Sequence, residues 1–289
     1  FDGTTYDQFV IDYDKNMPEL NRNNNSWHKK GLFGKLEPVE FEFLAGDNER
    51  DKSQVWWTPA IGINKYDKFM IGAMFHNISI PKNKFEYTLI PMFSLRGINH
   101  FAGYGDLKYS WVPKSNFKTI AFGVTGKTYG NGLGVVVDST SKTASGVHYV
   151  VQPYVEFHIG KPDVRKYYTQ KLKLMGAYVL EDGLSLGNEI IGGKAEYTFN
   201  YSKGIHGVDA KVRLDYINAT QDVGAGTASF DYLNMGVEAV YKLKYWEREG
   251  KGLEVRAFFG QNLLTTVIPN QRYGFAMSGQ SGTMDVFHE

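Results

Sequence analysis

Apolar and polar residues alternate along most of the chain from about residue 54 onward. In KFEYTLIPMFSLR (84–96), every second residue from Phe85 to Leu95 is apolar, and the residues between them include Glu86 and Ser94. A period of two is the pattern of a β-strand whose faces meet different surroundings. The pattern predicts twelve strands, at 55–63, 68–76, 84–96, 106–111, 118–125, 147–159, 166–180, 193–201, 208–216, 233–245, 252–260 and 272–278.

The predicted connections differ in length. From residue 77 onward, short turns such as PKSN and SKGIHG alternate with longer links such as EDGLSLGNEIIGG and NATQDVGAGTAS. Antiparallel barrels of the outer membrane have short turns on the periplasmic side and long loops outside. Successive antiparallel strands end on opposite sides of the membrane. Counting the strands back from the short turns therefore puts the residues before 54 in the periplasm.

Residues 1–53 lack a useful period and are rich in asparagine, apart from a brief alternation in LEPVEFEFL (36–44). We interpret 1–53 as a periplasmic linker or a lumen or plug segment, to which LEPVEFEFL adds one strand or a plug-like piece. Residues 54–289 are interpreted as a transmembrane β-barrel that is incomplete at its C-terminus.

The apolar faces of these strands have two explanations: the core of a soluble sandwich or lipocalin-like barrel, or contact with lipid. Up to four charged residues share one face of one strand, as in Asp209–Asp215, and so many long strands would make an unusually large soluble barrel. Aromatic residues also recur near strand ends, as in the interfacial girdles of membrane barrels. The girdle candidates are Phe85, Trp111, Phe157, Tyr201, Tyr216 and Tyr245. The predicted fold is all-β, an antiparallel transmembrane outer-membrane barrel of about twelve strands, and twelve to sixteen when complete.

Three prolines sit in the middle of predicted strands, on the apolar face: Pro59, Pro91 and Pro153. Proline cannot donate a hydrogen bond to a neighbouring strand, and an unpaired backbone group is costly in lipid. The sequence therefore predicts local bulges, or side-chain donors from the lumen, at these positions.

The opposite face carries charges of both signs. Lysine and arginine (32) nearly balance aspartate and glutamate (31), so the composition does not suggest a nucleic-acid partner. Mixed charges on neighbouring strands can pair and fill a narrow lumen, whereas a selective channel would favour one sign. The lumen candidates are His148, Glu156, His158, Asp209, Lys211, Arg213, Asp215, Glu238 and Lys242.

Motifs for catalysis are missing from the sequence. It has no zinc-binding His-Glu-x-x-His, no Gly-x-Ser-x-Gly elbow, no P-loop and no cysteine. His148 and His158 share a face with Glu156, which suggests a metal site or an acid/base pair; ordinary hydrogen bonding in a polar lumen is the simpler interpretation. We therefore expect no catalytic, metal-binding or cofactor-binding residues, and no cofactor.

Two stretches, QVWWTPAIGINKYDKFMIGAMFHN (54–77) and FEYTLIPMFSLRGINHFAGYGDLKYSW (85–111), resemble one known family. It comprises the C-terminal barrels of large Gram-negative outer-membrane proteins whose N-terminal half is similar to gluzincin-type zinc aminopeptidases. RNNNSWHKKGLF (22–33) is similar to the junction between the two halves. The resemblance implies a peptidase-like half upstream, so no catalytic residue transfers to this chain. MSGQSGTMDVFHE (277–289) lacks the terminal aromatic strand of a completed barrel, which suggests a fragment.

These observations predict a non-enzymatic barrel in the bacterial outer membrane that anchors or scaffolds an envelope complex. A pore or transporter for small solutes is the alternative, and a barrel enzyme that uses rim histidines is a weaker one. The expected partners are outer-membrane lipid and lipopolysaccharide, the barrel-assembly machinery during insertion, and periplasmic or surface proteins.

Overall fold

The structure is a computed structural model of the chain that describes fourteen segments. They are residues 8–14, 16–17, 25–28, 39–44, 53–64, 66–79, 82–95, 101–114, 116–131, 146–160, 165–182, 188–222, 227–245 and 252–265. The predicted strand at 272–278 lies outside the described residues, as does the C-terminal segment 277–289.

The described residues form fourteen strands and contain no helix. The strands are β1 Gln8–Val10, β2 Ser26–His28, β3 Val39–Phe43, β4 Ser53–Asn64, β5 Lys68–His76, β6 Phe85–Ser94, β7 Phe101–Trp111, β8 Phe117–Asn131, β9 Gly146–Ile159, β10 Tyr168–Asp182, β11 Asn188–Lys203, β12 His206–Asp222, β13 Thr227–Lys244 and β14 Gly252–Thr265.

One sheet contains twelve of these strands, from β3 to β14 in chain order. Every neighbouring pair from β4 to β14 is antiparallel, whereas β3 lies at the edge and is parallel to β4. β1 and β2 form a separate antiparallel pair. This is the strand order of an up-and-down barrel, and within the described ranges no pairing joins edge strands β3 and β14. The predicted all-β class and strand number are confirmed.

The sheet has an inner and an outer face, because directly paired residues point to the same side. One inner row is Glu156, Lys173, Glu196 and Arg213; the adjacent outer row is Val155, Leu174, Ala195 and Leu214. Most buried side chains lie on the inner face, among them Trp56, Val179 and Ile190. Large apolar residues on the outer face are instead exposed, such as Ile61 at 70%.

The strands are longer than the sequence pattern predicted, mainly at one end of the sheet. We call the end with the connection 132–145 the top, and the end with the turn 204–205 the bottom. At the top, residues from both NATQDVGAGTAS and EDGLSLGNEIIGG belong to strands β10 to β13, so among the connections between described strands only 132–145 is long there. The predicted contrast between short turns and long links is therefore wrong for most of the sheet.

At the bottom, β11 and β12 are joined by Gly204 and Ile205 alone, and Gly204 has a φ of 57° that favours glycine.

Two of the three prolines interrupt a ladder, and none of the three shifts its register. The β5–β6 ladder lacks the pairs opposite Pro91 and Ile90, and the β9–β10 ladder lacks those opposite Pro153 and Gln152. Pro59 pairs normally with β5, and on its other side β3 ends opposite Trp57. No bulge occurs at any of the three prolines, so that form of the prediction is wrong, whereas the expected interruption of the ladder is present at Pro91 and Pro153. The alternative of side-chain donors from the lumen stays a prediction.

Glycine makes room for a large side chain on the inner face. Gly123 on β8 is directly opposite Tyr154 on β9, and a Cβ atom at Gly123 would collide with the Tyr154 ring. The Nζ atom of Lys173 lies 5.0 Å from the centre of that ring. Gly123 therefore allows the tyrosine to lie over the backbone of the neighbouring strand.

Replacing Gly123→Ala should lower the free energy of unfolding by about 1–3 kcal/mol, because the added methyl group displaces the Tyr154 ring. Gly193→Ala is the matched control. Gly193 lies in β11 with open space around its Cβ position, so alanine should be neutral or stabilise by about 0.5–1 kcal/mol. Reversible urea unfolding measures both values, and equal values for the two variants would contradict the packing described.

Candidate functional site

A broad apolar belt covers the outer face of β9 to β13. On β11 it runs from Tyr201 near the bottom to Ile191 near the top, and on β12 from Val208 to Tyr216. The β11 span is ten residues, or about 33 Å along the strand at 3.3 Å per residue. With a barrel-like tilt of about 40°, the belt is about 25 Å high, the height of the apolar band of membrane barrels.

The six girdle candidates lie at two levels of the sheet. Phe85, Trp111, Phe157, Tyr201 and Tyr245 are all near the bottom, where Trp111 is 51% exposed. Tyr216 borders the belt at the top instead. Sequence reasoning missed further outer aromatic residues toward the top, Phe101, Tyr149 and Tyr178, because their segments were assigned to links or to strand interiors.

Above the belt, the polarity of the two faces inverts while the strands continue. On the outer face, Glu189, Asn218 and Asp231 follow the last apolar residues of β11, β12 and β13. On the inner face at the same level, apolar side chains are buried together, namely Val150, Met175, Ala177, Val179, Ile190, Ile217, Ala219 and Tyr232. On β11 to β13, the lower part of the sheet is thus mainly apolar outside and charged inside, whereas the top is polar outside and mainly apolar inside.

The inner face below this cluster carries charges that alternate in sign from strand to strand. Lys173 lies between Glu156 and Glu196 in the register, and Glu196 is opposite Arg213. The row ends at Gly236, where a Cβ atom would lie 2.9 Å from the Arg213 Nε atom. Gly236 therefore leaves space for the guanidinium stem.

Ion pairs join most of these charges across neighbouring strands. Glu156 contacts Lys171 (3.3 Å) and Lys173 (3.7 Å), and Glu196 contacts Lys211 (3.6 Å). The remaining lumen candidates form three further pairs: Arg213 with Asp215 (3.5 Å), Lys242 with Asp209 (2.8 Å), and Glu238 with Arg256 (2.7 Å). Mixed signs in close pairs give the wall no net preference for an anion or a cation.

The two histidines that the sequence placed with Glu156 occupy opposite ends of β9. His158, near the bottom, has its Nε2 atom 3.7 Å from Glu156. His148, near the top, has its Nδ1 atom 3.3 Å from Glu181 and stacks near Tyr129 at a ring distance of 4.8 Å. Ten residues, or about 33 Å of extended chain, separate the two histidines. They form no common site.

A second polar cluster lies on the inner face at the β3 edge, and sequence reasoning missed it. The Glu42 carboxylate accepts hydrogen bonds from Gln54 (2.7 Å) and from the Trp56 indole (3.3 Å). The Trp56 ring in turn lies 5.7 Å from that of His76. Because β3 is parallel to β4, Glu42 is brought beside Trp56, and the parallel pairing leaves no signal in the alternation.

A search for metal-binding groups of three or more His, Cys, Asp or Glu residues finds none among the described residues. In the same part of the chain, no helix is long and apolar enough to cross a membrane.

Replacing Glu156→Gln should lower the free energy of unfolding by about 3 kcal/mol, because Lys171 and Lys173 then lose their shared counter-charge in a largely buried site. Glu238→Gln is the control: it removes a pair whose arginine is 55% exposed, so the loss should stay below about 1 kcal/mol. Urea unfolding in vesicles measures both. Similar losses would mean that the Glu156 cluster is no more important for stability than the exposed pair.

Comparison with known proteins found no matching family model, curated protein or solved structure.

Proposed function

We propose that this chain is the membrane-embedded part of an outer-membrane β-barrel that anchors or scaffolds an envelope complex. The outer apolar belt is the observation that carries the proposal. Its height is that of a membrane barrel's apolar band, aromatic residues border it at the bottom, and Glu189, Asn218 and Asp231 border it at the top. Exposed side chains within it, such as Leu174 and Ile191, would have no apolar neighbour in water.

Two features of the inner face favour anchoring over transport. The charges pair within the wall, so they do not form a single-sign path for an ion or solute. The apolar cluster near the top is buried, with Val179 and Ile190 each only 1% exposed. An apolar cluster buried near the top would hinder the passage of polar solutes along that part of the wall.

The resemblance to barrels that follow a peptidase-like half agrees with an anchoring role. In such an arrangement, the barrel holds a periplasmic domain at the membrane. Residues 1–53 precede β4, which starts at the bottom of the sheet, so an upstream domain would lie on the side of the short turn 204–205.

A charge in the middle of the belt tests whether the outer face contacts lipid. Val212→Arg should lower the free energy of unfolding in lipid vesicles by about 2–4 kcal/mol, because Val212 lies midway up the belt on β12. Thr220→Arg, on the same face of the same strand but above the belt, should cost at most about 1 kcal/mol. In a soluble protein, both would be surface substitutions within about 0.5 kcal/mol of neutral, and that result would contradict membrane insertion.

Planar-bilayer recording separates anchoring from transport. The inserted chain should give no steady open conductance, because its wall charges are paired and an apolar cluster is buried near its top end. Protease protection in vesicles of the same composition provides the control for insertion. A stable, reproducible open level from protected protein would contradict the scaffold and favour a pore.

A further inference from the structure

A groove of about 770 Å³ opens on the outer face of the sheet, within the belt. Its floor includes Gly176 and Gly193, which are directly paired between β10 and β11. Pro153 and Val155 border it on one side and Tyr216 and Leu214 on the other. The lining is almost entirely apolar.

The groove exists because two adjacent strands carry glycine in the same outer row. A Cβ atom at Gly193 would meet no atom within 4 Å, so this position is open space. At Gly176, a Cβ atom would lie 3.4 Å from the Cγ atom of Pro153, which forms the near wall. Side chains of ordinary size at both positions would fill the depression and make the belt smooth.

A polar cluster adjoins the groove at its upper border. Tyr216, a lining residue, donates a hydrogen bond from its hydroxyl group to the Asp231 Oδ1 atom (2.8 Å), and Asn218 donates to the same oxygen (2.8 Å). Leu233, another lining residue, is two positions from Asp231 on β13, about 7 Å along the strand. Apolar surface thus leads directly to a carboxylate at the level where the belt ends.

We infer that this groove binds one acyl chain of a membrane lipid whose headgroup carries an ammonium group. The inference rests on the proposed function, since it requires the belt to lie in a membrane. The apolar groove fits the chain, and Asp231 provides the opposite charge for the ammonium group. The hydrogen bonds from Tyr216 and Asn218 come from neutral donors, and they hold the Asp231 carboxylate at the upper border of the groove. A headgroup that carries only negative charge would be repelled.

Native mass spectrometry of protein released from vesicles tests this inference. With equal amounts of phosphatidylethanolamine and phosphatidylglycerol, the unmodified chain should retain the ethanolamine lipid about two- to fivefold more often, the ratio that an exposed ion pair provides. Gly193→Leu should abolish retention because it fills the groove. Ala239→Leu, a substitution of the same size class on the exposed outer face of β13, should leave retention unchanged. Asp231→Asn should keep the bound lipid but remove the preference.

Each alternative result overturns the inference. Equal retention of both lipids by the unmodified chain, retention by Gly193→Leu, or an equal loss in Ala239→Leu would exclude a specific acyl-chain site. An unchanged preference in Asp231→Asn would remove the role of the carboxylate. A second copy of the chain retained in place of lipid would identify a different occupant.

Protease protection separates the two proposals. Protein that inserts without lipid preference contradicts only this inference, whereas protein that fails to insert contradicts the proposed function.

Discussion

The pairing of backbone groups between neighbouring strands is the constraint on which the rest of this structure depends. A backbone N–H or C=O that faces lipid without a partner costs several kcal/mol, so an embedded sheet must keep its ladders almost complete. The long pairings from β8 to β13 are nearly complete, with one register shift near Phe117 and two missing pairs beside Pro153, as an embedded sheet would require. They also fix which side chains face outward, because the side-chain period of a strand is two. The belt, the charge rows and the groove all follow from that register.

The three prolines show how the sheet tolerates exceptions. Pro91 and Pro153 remove only local pairs and leave the register on both sides unchanged, while Pro59 lies beyond the last pair of β3. Glycines are close to the interruptions: Gly103 is opposite Pro91 on β7, and a Cβ atom at Gly176 would lie 3.4 Å from the Cγ atom of Pro153. The small neighbours give the rings room, so a shift of register is unnecessary. The same glycine at 176 also opens the groove on the outer face.

Alternation in the sequence was sufficient to identify eleven strands and their outer faces, because within the belt every second residue is apolar. It failed at the top of β11 to β13, where the apolar residues move to the other face at Ile190, Ile217 and Tyr232. Where the apolar residues move to the other face, the alternation breaks. In the sequence such a break resembles a loop, although the backbone remains extended. The ion partners of Glu156 and the separation of His148 from His158 were not predictable in detail, since they depend on register. The parallel pairing of β3 with β4 was likewise not predictable from the alternation.

The inversion of polarity along continuous strands has a consequence for how this sheet assembles. Alternation by itself distinguishes the two faces, but it does not distinguish registers that differ by two residues, since such a slide keeps every side chain on its own face. The boundary at Tyr216 and Leu233 removes that ambiguity. A slide by two residues would place Asn218 beside Leu233, which brings a polar group to the level of the apolar outer row. The boundary therefore fixes the height of each strand relative to its neighbour, so that neighbouring hairpins can align with one another as the sheet forms.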